Sequence, residues 1–460
     1  MMMSQVAEAL DAKLHGHDVM MNGVSKDTRD IHAGDLYVAL KGERFDGHKF
    51  VAEATAAGAV GVLVSDAQAL DVPQVQVADT RLALGQLAAY WRQKFTGKLI
   101  GITGSNGKTS VKEMCKKILV DHAGQAAVLS TRGNLNNDIG LPMMLLELRD
   151  QHRFAVIEMG ANHVGEIDYL TSIARPDVAL VNNVGPAHLE GFGSLQNIAK
   201  AKAEIYNGLS ATGTAIINLD DAFSAFWKDY CADKCPAKKI IGFSMQDKKA
   251  DVYAKAIEGN RFQIIAENAQ AVLSLKVPGK HNVMNALAAI AATLSLGLPL
   301  ASIVASLSDF ENIKGRLTVR IAGAGYRVID DTYNANPLSV SAAIDVLAEM
   351  QGSVADRTVL VLGDMAELGA TAAQLHAEIG KKAKAAGIKE LYATGKLSVN
   401  TVNAFGDNGF YFDSKNELIN ALNQKLTGCE VVLVKGSRSA AMEEVVERIL
   451  TQDKNNKRVN

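Results

Sequence analysis

The run Gly101-Ile102-Thr103-Gly104-Ser105-Asn106-Gly107-Lys108-Thr109-Ser110 has the residue types that hold phosphate. Its glycines let backbone N–H groups close around phosphate oxygens, and a following helix adds positive potential at its N-terminus. Lys108 is placed to reach the outer phosphates, and the Thr109 hydroxyl can serve Mg²⁺. The spacing departs from the strict phosphate-loop pattern, because Ile102 stands where the first glycine belongs. A bare Gly-Lys-Thr would fit a glycine-rich turn with a surface lysine equally well. The apolar strand before it and the helix after it favour a nucleotide phosphate ligand.

Two further groups belong to the same edge if the surrounding strands are parallel. Glu158 ends the apolar run Phe154-Ala155-Val156-Ile157, and His188 follows Gly185-Pro186-Ala187 just past another apolar strand. Either alone reads as an ordinary strand-end acid or a structural loop histidine. Ligands gather at the carboxyl ends of strands in open α/β sheets, so together they suggest metal or phosphate binding. Ser25-Lys26-Asp27-Thr28-Arg29 and Phe45-Asp46-Gly47-His48 are polar clusters beside strands. By themselves they say only that there are turns. The same holds for Arg316 and for Asp330-Asp331-Thr332-Tyr333-Asn334-Ala335-Asn336-Pro337, although that run is too polar for a plain strand end.

These groups need a scaffold, and the pattern supplies one. Strands are expected at Leu99–Thr103, Phe154–Met159, Val178–Val184, Ala215–Leu219 and Ile240–Phe243, with helices such as Ile198–Leu209 between most of them. This alternation predicts a parallel sheet covered by helices. Residues 252–277 alternate over short stretches, which predicts a small antiparallel insertion. A second α/β series follows Gly315, with strands at Tyr326–Asp330, Thr358–Leu362, Glu390–Ala393 and Glu430–Val434 and helices at Ala372–Ala386 and Lys415–Leu426. Strands near Asp35–Leu40 and Gly61–Val64 mark a third unit at the N-terminus. The expected domains are 1–95, 96–313 and 314–460, with a polar, frayed tail from Gln452.

Composition agrees with that plan. At about 150 residues per domain, 460 residues supply three domains. The 48% hydrophobic content and net charge of -2 exclude a disordered chain. With 48 Lys+Arg against 50 Asp+Glu there is no overall pull toward nucleic acid or anionic membrane. Four cysteines are too few for a disulfide framework at this length, so a reduced, cytoplasmic setting is expected. Cys231 and Cys235 lack the second pair that zinc needs and read as half-buried thiols on one helix. The start, Met1-Met2-Met3-Ser4, has no basic stretch leading into an apolar run, so no signal peptide is expected. The uncharged segment 282–308 reads as two buried helices joined at Gly297-Leu298-Pro299 rather than as a membrane span.

Taken in order, Gly104–Ser110, Glu158, His188, His281-Asn282-Val283-Met284-Asn285, Arg316 and Asp331 resemble the motif series of the Mur ligases. These are ATP-dependent enzymes that build the peptide of the bacterial cell-wall precursor, and folylpolyglutamate synthetases are similar in the central domain. Within the family, four segments narrow the substrate: Thr131–Pro142, Ile329–Pro337, Leu362–Gly369 and Lys435-Gly436-Ser437-Arg438-Ser439. Thr332 departs mildly, where Ser or Cys is usual.

The resemblance implies an N-terminal α/β domain for a UDP-linked substrate, a central phosphate-loop ATPase-like domain with a parallel sheet, and a Rossmann-like C-terminal domain. It implies ATP-dependent joining of D-alanyl-D-alanine to UDP-MurNAc-tripeptide through an acyl phosphate, giving UDP-MurNAc-pentapeptide, ADP and phosphate. The implied ATP site is Gly104, Ser105, Asn106, Gly107, Lys108, Thr109, Ser110, Asn282, Asn285, Arg316 and Asp331. Lys108, Glu158, His188 and Lys202 take the catalytic roles, and two Mg²⁺ ions rest on Thr109, Glu158, His188 and Lys202. Lys202 stands two residues before Glu204, where several Mur ligases carry a carbamylated lysine. Ser25, Thr28, Arg29, Phe45, Asp46, Gly47, His48, Asn134, Asn136 and Asn137 are implied to hold the UDP precursor. Asn334, Asn336 and Arg438 are expected to hold the dipeptide, Arg438 because a guanidinium suits its carboxylate. A monomer is expected. Another Mur-type or folylpolyglutamate-type amide ligase is the alternative. A guanine-nucleotide switch is disfavoured, since the sequence has no Asn-Lys-x-Asp.

Overall fold

The computed structural model describes residues 1–43, 45–235, 237, 239–267, 269–352, 354–355 and 357–451. The tail expected from Gln452 lies outside the described residues. Three sheets follow one another along the chain. The first contains β1 (Lys13–His15), β2 (Gly23–Ser25), β3 (Asp35–Val38), β4 (Gly61–Val64) and β5 (Gln74–Gln76), in the order β1-β5-β4-β3-β2. Only its edge strand β1 runs antiparallel to its neighbour.

The central sheet has nine strands: β6 (Lys98–Thr103), β7 (Val128–Ser130), β8 (Phe154–Glu158), β9 (Val178–Val181), β10 (Thr214–Asn218), β11 (Lys239–Ser244), β12 (Val252–Glu258), β13 (Arg261–Ala266) and β14 (Ala269–Ser274). Their order is β14-β13-β12-β11-β10-β9-β6-β8-β7. The expected antiparallel insertion is present as β12–β14, but it extends the parallel sheet rather than standing apart, because β12 pairs in parallel with β11. The order reverses at β6, which lies between β8 and β9. The phosphate loop therefore leaves the sheet at a topological switch point, where a crevice opens beyond the strand ends.

The third sheet contains β15 (Thr318–Ile321), β16 (Arg327–Asp331), β17 (Arg357–Leu362), β18 (Glu390–Thr394), β19 (Gly409–Phe412) and β20 (Glu430–Lys435), in the order β15-β16-β20-β17-β18-β19. Its edge strand β15 is antiparallel and the rest are parallel. The return of β20 between β16 and β17 makes a second crevice, with Asp331 paired in register to Lys435.

Alternation along each strand explains the layers. In β20, Val431 and Leu433 face one core, while Val432 and Val434 face the other. In β3, Leu36 and Val38 face a core shared with one side of the central sheet, and Tyr37 faces a smaller outer core. The helix Thr80–Gln93 contributes Leu84 and Leu87 to that shared core. Trp91 Nε1 donates to Leu148 O at 3.0 Å and Arg92 Nε to Ala174 O at 2.8 Å, tying the first unit to the central one.

The uncharged segment forms the helices Lys280–Leu294 and Leu300–Ser308, both largely buried against the central sheet. Among the described residues no helix is long and apolar enough to cross a membrane. The two thiols differ from expectation. Cys231 is fully buried in the helix Ser224–Lys234, and Cys235 is buried one residue beyond it. Cys235 Sγ contacts Tyr206 O at 3.4 Å.

Candidate active site

The phosphate loop is built on neutral amides. Gly107 takes φ +76 and caps the helix Lys108–Ala123. A Cβ there would come within 2.3 Å of Asn285 Oδ1 and 2.5 Å of Asn182 Nδ2, so only glycine fits. Asn182 Nδ2 donates to Asn106 O and to Asn285 Oδ1, both at 2.9 Å. Asn183 Oδ1 accepts from Asn106 N at 2.9 Å, and Ser105 N donates to Asn183 O at 2.9 Å. Asn282 and Asn285 are buried below the loop, joined by a 3.3 Å bond. Their amides buttress the loop's underside.

No site role is expected at Asn182 and Asn183 from the sequence, because the apolar strand predicted there runs on to Val184. The strand stops at Val181, and a polar pair at a strand end beside a phosphate loop was the available signal.

Lys108 Nζ donates to Gly104 O at 2.7 Å. Burial pulls its pKa below the usual lysine value, although Glu158 opposes the shift. Thr109 Oγ1 donates to Glu158 Oε2 at 3.0 Å, and Asn136 Nδ2 donates to Glu158 Oε1 at 2.8 Å. Asn136 thus sits at the acid rather than with the N-terminal clusters. Glu158 is itself held from behind. Its N–H donates to Thr131 Oγ1 at 2.9 Å, while the buried Lys112 donates to Thr131 O at 2.7 Å. Lys112 and Thr131 had no sequence signal beyond lying one helical turn from Lys108 and inside a loop motif.

Lys202 is buried at the end of the helix Leu195–Ala203, its Nζ 5.5 Å from the Phe192 ring centroid. Burial, then the Lys108 charge, lower its pKa to about 7. His188 caps the short helix Leu189–Phe192 with φ 55, and its Nδ1 lies against the Glu367 carboxylate. Burial lowers the imidazole pKa; Glu367 opposes this, and Lys108 and Lys202 add to it. A neutral ring is the form that can ligate a metal.

Among the described residues no cluster of three or more His, Cys, Asp or Glu could hold a metal ion alone. The donors the structure brings together are instead one hydroxyl and one carboxylate, Thr109 Oγ1 and Glu158 Oε2, beside the phosphate loop. That set fits Mg²⁺, which takes few protein oxygens and completes its shell with phosphate and water.

The C-terminal domain reaches into this site. Arg316 Nη2 donates to Thr109 Oγ1 at 3.0 Å while its guanidinium stacks on Tyr333, 4.4 Å from the ring centroid. Asn336 Nδ2 donates to Asn106 Oδ1 at 2.7 Å. Glu190 N donates to Glu367 O at 3.3 Å. Behind these contacts the buried Lys435 holds Asp331 Oδ2 at 2.6 Å and Asn334 O at 2.7 Å. Arg438 is exposed and pairs with Glu443 at 2.8 Å.

The N-terminal clusters gather on the carboxyl edge of the first sheet. Arg29 Nε donates to Asp27 Oδ1 at 2.8 Å, and Ser25 Oγ to Asp27 O at 3.0 Å. Thr28 Oγ1 donates to Glu53 at 2.6 Å. His48 Nδ1 meets Asp46 Oδ1 at 2.7 Å, and its Nε2 accepts from Ser65 N at 2.9 Å. That pattern puts the imidazole proton on Nδ1. Phe45 is exposed and stacks on Phe50, 5.4 Å between centroids. Gly47 passes so close to Leu40 that a Cβ would meet its carbonyl at 2.8 Å. Asn134 is exposed, and Asn137 Oδ1 accepts from Gly140 N at 2.8 Å as a local turn.

This architecture and its site match known proteins along nearly the whole chain. Residues 102–293 match the Mur ligase middle domain, 315–438 the Mur ligase, glutamate ligase domain, and 20–92 the Mur ligase family, catalytic domain. The UDP-N-acetylmuramoyl-tripeptide–D-alanyl-D-alanine ligase of Escherichia coli (strain K12) is 45% identical over 455 residues, 97% of this chain and 98% of that one. The chain belongs to the Mur ligase family. As a Mur ligase it superposes on MurF from Acinetobacter baumannii with a TM-score of 0.89 at 38% identity, covering 97% and 98% of the two chains. MurF ligase from Thermotoga maritima, solved in complex with ADP, gives 0.83 at 26% identity, covering 95% and 99%. The three-domain Mur ligase fold is therefore that of the whole chain.

Proposed function

We propose that this Mur ligase joins D-alanyl-D-alanine to UDP-MurNAc-tripeptide with ATP, in the synthesis of the peptidoglycan precursor. The observation that carries the reading is the 45% identity to the E. coli ligase across 97% of the chain. The site geometry supports the chemistry. The tripeptide carboxylate attacks the γ-phosphorus of ATP, giving an acyl phosphate and ADP. The dipeptide amine then attacks the acyl carbon, and phosphate leaves from the tetrahedral intermediate.

The first step brings an anion to a polyanion, so charge must be neutralised in place. Lys108, at the loop mouth, and Arg316, held on Tyr333, are the cations placed for it. Thr109, Glu158, His188 and a carbamylated Lys202 would hold Mg²⁺, which when bound would supply Lewis-acid neutralisation of the phosphates. Asn136 orients Glu158 and so keeps its second oxygen toward Thr109. The Lys202 carbamate draws support from the buried amine with a pKa of about 7, because only a neutral amine adds CO₂.

The remaining assignments are parts of the same proposal. The N-terminal edge, with exposed Phe45 for a base and Arg29 for phosphate, receives the UDP end together with Asn134 and Asn137. Asp331 serves the ribose. Arg438, in a weak exposed ion pair, exchanges Glu443 for the dipeptide carboxylate, beside Asn334 and Asn336. The domains divide at residues 95/96 and 313/314, and the working unit is a monomer. No disulfide joins the four cysteines, which suits a cytoplasmic protein. Thermal denaturation tests the substrate class: UDP-MurNAc-tripeptide should raise the melting temperature and a folate should not. Stabilisation by the folate alone would replace this reading with the folylpolyglutamate type.

A further inference from the structure

Asn336 caps the helix Pro337–Glu349. Its Oδ1 accepts the N–H of Ser339 at 2.9 Å. A cap requires an acceptor, so this bond fixes which end of the amide is which. Nδ2 is the end that faces the central domain, and it donates to Asn106 Oδ1 at 2.7 Å. The orientation of the second amide follows from the first. With Oδ1 committed to Asn336, Asn106 presents Nδ2 on its other side.

The Asn106 backbone gives it no freedom to do otherwise. Its N–H donates to Asn183 Oδ1 at 2.9 Å, and its carbonyl accepts from the Asn182 and Asn183 amides at 2.9 and 3.2 Å. Every polar atom of the residue has a partner in the chain except Nδ2, which is buried and unpaired. Native proteins keep few buried donors without an acceptor, and those they keep call for an explanation. This one sits in the phosphate loop, two residues before Lys108.

We propose that Asn106 Nδ2 donates a hydrogen bond to an anionic oxygen of the phosphoryl group transferred from ATP, and that Asn336 is the positioning residue that aims it. The inference rests on the ATP-ligase reading above and adds a coupling to it. The donor is aimed only while the C-terminal domain is docked on the loop. When that domain moves away, the amide is free to turn and offer its oxygen to the anion instead. Phosphoryl transfer is thereby tied to the domain that carries the dipeptide site.

Asn336→Asp tests this, because aspartate still caps the helix but offers Asn106 an acceptor. The Asn106 amide then turns to donate to it, leaving Oδ1 toward the phosphoryl group. Turnover should fall about 10²-fold, the scale for losing one oxyanion donor, with the KM for ATP and the melting temperature little changed. Asn106→Ala should lose a similar factor. In the double variant the loss should be no greater than in Asn106→Ala alone, because Asn336 acts through Asn106. Multiplying losses, or a raised dipeptide KM with turnover kept in Asn336→Asp, would overturn the proposal. So would normal turnover in Asn106→Ala. Asn336→Ser also caps but removes the amide donor that holds Asn106 Oδ1, so turnover should fall there as well if the aspartate variant does not fold. Failure of the ligase reading itself looks different: the unmutated protein would release no phosphate with all three substrates present.

Discussion

The two crevices of this molecule handle charge in opposite ways. At the end of β6, neutral asparagine amides hold the phosphate loop, so Lys108 is left to meet a ligand. At the ends of β16 and β20, the buried Lys435 is spent internally on Asp331 and on the Asn334 carbonyl. Neutral amides fix a loop without adding a counter-charge, which preserves the site's positive potential. A buried ion pair fixes a loop equally firmly but cancels its own field, and breaking one partner is costly. The first crevice is thus made for phosphoryl transfer and the second for holding a segment in place. On the proposed reading, the charge offered to a second substrate is that of the exposed Arg438.

The contrast can be broken by removing each cation in turn. The largest effect is expected at Lys202. Lys202→Ala should lose about 10³-fold in turnover, the upper range for a single electrostatic group, and short-chain carboxylates should partly restore it. Because the amine titrates near pH 7, the neutral form that adds CO₂ is depleted below that pH. Unmutated activity should therefore fall as pH drops through 7, more steeply without bicarbonate. Full activity of Lys202→Ala, or no bicarbonate dependence, would count against the carbamate.

Lys108→Ala comes next, with a loss of at least about 10²-fold in turnover in a variant whose circular dichroism is unchanged. Lys435→Met should act differently. It removes one partner of a buried pair, so stability should drop by about 3 kcal/mol, measured by urea denaturation, while residual turnover at low temperature falls only about tenfold, the lower end for an outer positioning group. If Lys435→Met instead abolished turnover without loss of stability, the division between the crevices would be wrong. The smallest effect belongs to Arg438→Ala. Its exposed pair with Glu443 contributes little to folding. The KM for D-Ala-D-Ala should rise several-fold, on the order of one charge-assisted bond, with the melting temperature unchanged. An unchanged KM would remove Arg438 from the dipeptide site.

How much of this was legible in the sequence depended on range. Local period and glycine placement carried the central strands, the loop Gly104–Ser110 and the helix pair on either side of Gly297. Short or edge strands such as β1, β15 and β19 left no such mark, since three or four residues with exposed faces have no apolar run. Glu158 and His188 could be placed at one edge because β8 and β9 flank β6. The Asn336–Asn106 and Lys435–Asp331 contacts could not, because each joins residues more than a hundred positions apart through side-chain orientation. Asn136 shows the same limit. Its segment was recognisable as a motif, but only the folded loop brings its amide to Glu158.

The most direct test of the central claim is phosphate release from ATP by the purified protein, assayed with substrates omitted one at a time. The account predicts release at full rate only with UDP-MurNAc-tripeptide and D-Ala-D-Ala together, matched one for one by UDP-MurNAc-pentapeptide in the mass spectrum. Equal release without the dipeptide, or none with all three substrates and Mg²⁺ present, would contradict it.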